Sequence, residues 1–229
     1  MNRLFSLLIA FISISFLGCN QENLENARKA LSEDENKPEI AVSVLFDNSI
    51  SYKNYVEDTL NNVKKIFQYL ASKYSSDENM KVSLILIDSD AKIIFNGKPR
   101  DLQRAYDDVA NILKTGQTKF TNLSGAVNRA IYFLKESNAS RKVIVMFTDM
   151  KASTPNFHPR DEKVVPPPPD FPWDTLKSEK IEIFSFFVPY EEWNIWIPVV
   201  EEKGVQITAK LPEELKTESA YRVVFKEEQ

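Results

Sequence analysis

Between Ile40 and Leu211 the chain alternates two kinds of apolar pattern. The short unbroken runs "IAVSVLF", "KVIVMF" and "IEIFSFFV" have the length and the β-branched or aromatic content of strands buried on both faces, as in a parallel sheet. Other stretches repeat every three or four residues: Val56, Leu60, Val63, Phe67 and Leu70 share one face of a helix predicted over residues 52–74. Further helices are predicted from about Arg100 to Leu113 and from Leu123 to Lys135, the second with Asn122 as its N-cap. "KVSLILIDSDAKIIFNGKP" reads as two strands folded back at Asp88, Ser89 and Asp90, a hairpin. A last helix near Glu191 to Lys203 and a short strand, "VQITAKL", complete the series, with Trp193, Trp196 and Ile197 on the helix's buried face or, alternatively, in an aromatic patch for a partner. The pattern predicts an α/β fold: a doubly wound, mostly parallel sheet with one antiparallel edge hairpin and helices on both faces.

Two segments break this rhythm. Residues 151–173 hold seven prolines, four of them consecutive at Pro166 to Pro169. Proline offers no backbone donor, so this is a long surface loop with polyproline character, followed by a helical turn at Asp174 to Lys177. At the amino end, Arg3 precedes an apolar run from Leu4 to Leu17, shorter than the roughly 20 residues that cross a bilayer, which marks residues 1–18 as a signal peptide. The run ends in Phe16-Leu17-Gly18-Cys19, which resembles the lipobox of bacterial lipoproteins. That resemblance implies cleavage before Cys19, a lipid on its sulfur and attachment to a membrane. Residues 19–38 are the lipidated cysteine and a polar tether, which as a flexible coil would span about 23 Å. Residues 39–229 then form one domain.

Composition removes several function classes. Cys19 is the only cysteine, so the chain holds no internal disulfide and the domain has no thiol chemistry. A net charge of −4 without a Lys/Arg cluster argues against nucleic acid. None of the five glycines builds a phosphate-binding loop. Zinc lacks its usual thiolate and imidazole ligands, since His158 is the only histidine.

The candidate chemistry sits where strands end. In doubly wound sheets ligands bind outside the carboxyl ends of strands, where strand order reverses. "SVLFDNS" ends on Asp47 and "VIVMFTDM" on Asp149, while "TGQTKFTNLSGAV" brings hydroxyls at Thr115, Thr118 and Thr121. With Ser49 and Ser51 these make an all-oxygen pocket suited to a hard divalent ion. A plainer role is open for single members: Ser51 could simply cap the first helix.

Asp47-x-Ser49-x-Ser51, a threonine ahead of the third helix and an aspartate closing the next strand resemble the metal-ion-dependent adhesion site of von Willebrand factor A domains, over residues 39–211. The resemblance implies direct ligation by Ser49 and Ser51, ligation by Thr121 directly or through water, and a water-mediated role for Asp47 and Asp149. Thr121 matches best through "TNLSGAV", and Thr118 is the second choice. It also implies Mg²⁺, or Mn²⁺ or Ca²⁺, with a coordination position left for an Asp or Glu of a protein partner. Met150 stands where the family usually has glycine, so the loop there is expected to follow another course. The Pro-rich loop replaces a helix of the family. Its Phe157, His158, Phe171 and Trp173 are expected either to flank the metal and select the partner or to cover an apolar patch.

The expected function is therefore a binding module, not an enzyme, lipid-anchored in the cell envelope. The outer membrane is favoured in a diderm organism, because Asn20 rather than aspartate follows Cys19. Two other readings use the same pocket: a metal-dependent hydrolase, and a structural envelope lipoprotein with a metal-free site.

Overall fold

The computed structural model describes residues 38–116, 118–154 and 165–226. The expected signal peptide, Cys19, the tether up to residue 37, and Phe157 and His158 lie outside the described residues. The strand β1 (Ile40–Asp47) is buried along its whole length because it lies between two parallel neighbours, β2 (Val82–Ile87) and β4 (Arg141–Phe147). The sheet runs β3-β2-β1-β4-β5-β6, with β5 (Glu182–Phe186) and β6 (Ile207–Lys210) parallel and the edge strand β3 (Ile93–Gly97) antiparallel. The doubly wound sheet and its edge hairpin are as the pattern predicts. Strand order reverses between β1 and β4, so their carboxyl ends open the crevice where such folds place ligands.

Alternate side chains of β1 feed two cores. Val42, Val44 and Phe46 pack under α1 (Val56–Lys73), α2 (Leu102–Thr115) and the short α6 (Ala220–Phe225). Ala41 and Leu45 pack on the opposite face, with α3 (Leu123–Glu136), α4 (Trp173–Ser178) and α5 (Tyr190–Lys203). The predicted face of α1 is the buried one: Leu60, Val63, Phe67 and Leu70 are in the core, while Val56, at the helix start, is half-buried.

Three expectations change. The helix carrying Trp193, Trp196 and Ile197 is not the last one, because α6 follows and returns to α1, where Ala220 donates its N–H to Asn62 Oδ1 at 3.1 Å. On α5, Trp196 is fully buried and Trp193 and Ile197 are half-buried, so the core reading of this face holds best for Trp196. Phe171 and Trp173 do not offer themselves to a partner. They are 4% and 9% exposed and pack on Trp196, with ring centroids 5.3 and 5.8 Å from its indole. The end of the Pro-rich loop is thus fastened by an aromatic cluster in which each ring loses most of its water contact.

Two local conformations depend on residue type. The Asn122 side chain caps α3 by accepting the Gly125 N–H at 2.8 Å, and a Cβ on residue 125 would meet that side chain at 2.6 Å. Met150 takes φ of +60°, the left-handed region that glycine occupies without strain, and buries its side chain completely. The chain therefore holds a methionine in a backbone conformation that glycine adopts freely, with the buried side chain packed in the core.

Gly125→Ala is expected to displace the cap and cost about 1 kcal/mol, with Asn122→Ala costing a similar amount and the double variant little more; additive losses in urea unfolding would refute the shared cause. For Met150→Gly, relief of about 1–2 kcal/mol of backbone strain opposes a packing loss of roughly 2–5 kcal/mol. A net destabilisation is expected in the same assay, and a more stable variant would show that strain dominates.

Candidate metal centre

Backbone pairing brings three separate loops to one place. The Asn48 carbonyl accepts the Thr118 N–H at 2.9 Å and the Thr118 carbonyl accepts the Ile50 N–H at 3.3 Å, which ties the loop before α3 to the turn after β1. Thr121 and Ser153 exchange two backbone hydrogen bonds, 2.8 and 3.0 Å, which ties the same loop to the segment after β4. Fixed loops of this kind satisfy their backbone groups internally and hold side-chain oxygens in place.

Ser49, Ser51, Thr118 and Thr121 line one cleft of about 360 Å³. The hydroxyls of Ser49 and Ser51 stand 3.0 Å apart. Asp47 and Asp149 lie behind them, 0% and 2% exposed. The turn around Asp47 explains the D-x-S spacing: the Ser49 N–H donates to Asp47 Oδ1 at 2.8 Å, so the carboxylate orients the backbone that presents the serine. The other oxygen, Asp47 Oδ2, accepts the Thr148 hydroxyl at 2.7 Å. Asp149 Oδ1 accepts the Lys151 N–H at 3.1 Å.

The two threonine candidates separate. Thr118 uses its hydroxyl on the Phe120 carbonyl, at 3.0 Å. Among the described residues the Thr121 hydroxyl has no hydrogen-bond partner, which leaves it for a ligand in the cleft. Thr115 is not part of the site, since it ends α2 and bonds back to the Asn111 carbonyl at 2.7 Å. Phe171 and Trp173 are in the core, as described above. The exposed apolar side chain at the cleft is Ile50, between the two serines.

Both carboxylates are held in an unfavourable setting. Burial, and then the nearby charge of Asp149, push the Asp47 carboxyl up to about 7, against the opposing effect of its hydrogen bonds from Ser49 and Thr148. Burial likewise raises Asp149, opposed by the Lys151 N–H, the Ser51 hydroxyl and the Lys151 charge. A divalent cation among these groups would offset what burial and mutual repulsion cost, and the donors present are hard oxygens. Among the described residues no three His, Cys, Asp or Glu side chains gather into a metal cluster, so an ion bound here would need the hydroxyls among its ligands. The residues fit a Mg²⁺-type ion on chemistry and placement.

Three participants were not read from the sequence. Thr148 precedes Asp149, and the parallel pairing of Phe46 with Phe147 places it beside Asp47, so register was the missing signal. Lys151 opens the Pro-rich loop, where the sequence pattern carries no signal that sets it apart. Glu192, 1% exposed, continues the inner stripe of α5 with Trp196 and Val200 at four-residue spacing. Its Oε2 accepts the Val165 N–H at 2.9 Å, and its Oε1 stands 3.7 Å from Lys151 Nζ.

No curated protein sequence shows significant similarity to the chain. Solved structures share its fold at low identity. The pilus adhesin SpaC of Lactobacillus rhamnosus GG, in its open conformation, superposes with a TM-score of 0.53 at 11% identity over 79% of this chain and 29% of its own. Proximal thread matrix protein 1 of the mussel byssus, with a zinc-occupied MIDAS motif, gives 0.54 at 17% over 79% of this chain and 44% of its own. The conserved hypothetical protein BatB of Bacteroides thetaiotaomicron gives 0.51 at 13% over 82% of this chain and 96% of its own. The chain thus spans less than half of the adhesin and of the byssus protein. The sequence profile of the von Willebrand factor type A domain matches residues 42–214, all of the sheet but the first two residues of β1, and the chain belongs to that family.

Proposed function

We propose that the protein is a non-enzymatic binding module that captures a protein partner through a divalent metal ion, Mg²⁺ first and Mn²⁺ or Ca²⁺ as substitutes. The observation that carries this reading is the convergence of the Ser49, Ser51 and Thr121 hydroxyls on one cleft, with two buried carboxylates behind them. Ser49, Ser51 and Thr121 would hold the ion, and Asp47 and Asp149 would balance its charge from behind. When bound, the ion supplies a positive centre for an Asp or Glu side chain of the partner, a charge-assisted contact in a partly dry site. Ile50, more than half exposed at the cleft, adds apolar contact around it. Phe157 and His158 remain candidates for partner choice on sequence grounds. Capture by an envelope-anchored module, lipidated at Cys19, is the setting that the lipobox-like segment favours, at the outer membrane of a diderm organism.

A hydrolase is disfavoured by the state of Asp47. Both of its oxygens already accept hydrogen bonds, from the Ser49 N–H and the Thr148 hydroxyl, and neither is directed to a substrate as nucleophile or base.

Isothermal titration with Mg²⁺ and Mn²⁺ is expected to show binding that Asp47→Ala and Asp149→Ala each abolish while the variants stay folded; a folded wild type that binds neither ion would end the metal reading. The pH dependence has a definite sign. Asp47 binds its proton more tightly folded than unfolded, so without metal the stability falls as pH rises from about 4 to about 7. Ion binding displaces that proton, so the affinity should rise over the same window. Thermal unfolding between pH 4.5 and 7.5 with and without Mg²⁺, at about those limits, checks both, and a stability that rises with pH in the metal-free protein would contradict the raised Asp47.

A further inference from the structure

We infer that Glu192 is a positioning residue of the metal cleft: it draws the Lys151 ammonium toward α5 and away from Asp149, so that the carboxylate stays available to the ion. This rests on the metal reading above. Lys151 is a cation built beside the site, because its own N–H is bonded to Asp149 Oδ1 at 3.1 Å and its side chain lines the cleft. An ammonium placed against Asp149 would neutralise the charge that a divalent ion needs, and so act as a competitor inside the chain. The structure directs it elsewhere. Lys151 Nζ pairs with Glu192 Oε1 at 3.7 Å, and among the described residues it makes no ion pair with Asp149.

Glu192 is suited to this task and poorly suited to plain packing. It takes a core position in the stripe with Trp196 and Val200, where an apolar residue would avoid the penalty of a buried charge. Its Oε2 is satisfied by the Val165 N–H at 2.9 Å. Its Oε1 is buried and among the described residues has no hydrogen-bond partner, since 3.7 Å is too long for a hydrogen bond. What remains at Oε1 is a charge facing Lys151. The carboxylate therefore acts on a side chain of the cleft from a helix that contributes nothing to the cleft wall itself.

The test is a double-mutant cycle on Mn²⁺ affinity, measured by calorimetry on the wild type, Glu192→Gln, Lys151→Met and the double variant. Glu192→Gln keeps an acceptor for the Val165 N–H and removes only the charge. It should weaken Mn²⁺ binding by about tenfold or more, since at an effective dielectric of about 20 a unit charge released within roughly 10 Å of the ion is worth at least that. Lys151→Met should bind at least as tightly as the wild type, and adding Glu192→Gln to it should cost clearly less than the same change costs the wild type, only the loss of the carboxylate's own field. An equal loss in both backgrounds would show Glu192 acting by its own field and overturn the inference, as would weaker binding by Lys151→Met. If Glu192→Gln does not fold, Lys151→Met alone decides by the direction of its change. A folded wild type that binds no Mn²⁺ would instead sink the metal reading, and this inference with it, an outcome distinct from binding without coupling.

Discussion

The structure is organised around two carboxylates that the sheet buries at the ends of neighbouring parallel strands. Asp47 closes β1, Asp149 follows β4, and the pairing of these strands leaves neither room to separate. An isolated buried carboxylate costs several kcal/mol unless it is hydrogen-bonded or paired with a cation. The surroundings answer with donors: the Ser49 N–H and Thr148 hydroxyl on Asp47, the Lys151 N–H on Asp149. These donors lower the penalty but do not remove it, and the raised Asp47 carboxyl is what is left over. A fold selected for stability alone would have placed apolar or uncharged residues here.

The loops follow from the same constraint. For hydroxyls from two parts of the chain to meet in front of the carboxylates, the loops need fixed backbone paths, and the reciprocal pairs of Thr118 with residues 48 and 50 and of Thr121 with Ser153 provide them. Met150 belongs to this scheme. Its left-handed backbone turns the chain immediately after Asp149, and its buried side chain keeps the turn closed.

Much of this was legible in the sequence, because a strand buried on both faces leaves an unbroken apolar run and a covering helix leaves a three-to-four repeat. The hairpin, the Asn122 cap and the strand-end aspartates came from such local signals. Thr121 could be preferred to Thr118 only through the resemblance, since the deciding fact, which hydroxyl is already bonded to the backbone, is tertiary. The short α6 escaped notice because six residues hold little periodicity and its support comes from α1. Phe171 and Trp173 read equally well as exposed or buried, because aromatic residues in a Pro-rich loop carry no periodic signal; Trp196, distant in sequence, decides it. Glu192 was obscured by ordinary expectation, since a glutamate in the first turn of a helix is usually a solvated favourable charge near the helix dipole.

The Pro-rich segment is anchored on both sides of the stretch between Ser153 and Val165. Ser153 is clamped to Thr121 on one side, and Val165 is clamped to the Glu192 carboxylate on the other. Between clamped ends the entropy of closing a loop grows only by about 0.6 kcal/mol for each doubling of its length. By that measure a change in the number of residues between Ser153 and Val165 costs the domain little. The two clamps thus set where the segment leaves and rejoins the domain, one beside the Thr121 hydroxyl and the other on the carboxylate that faces Lys151.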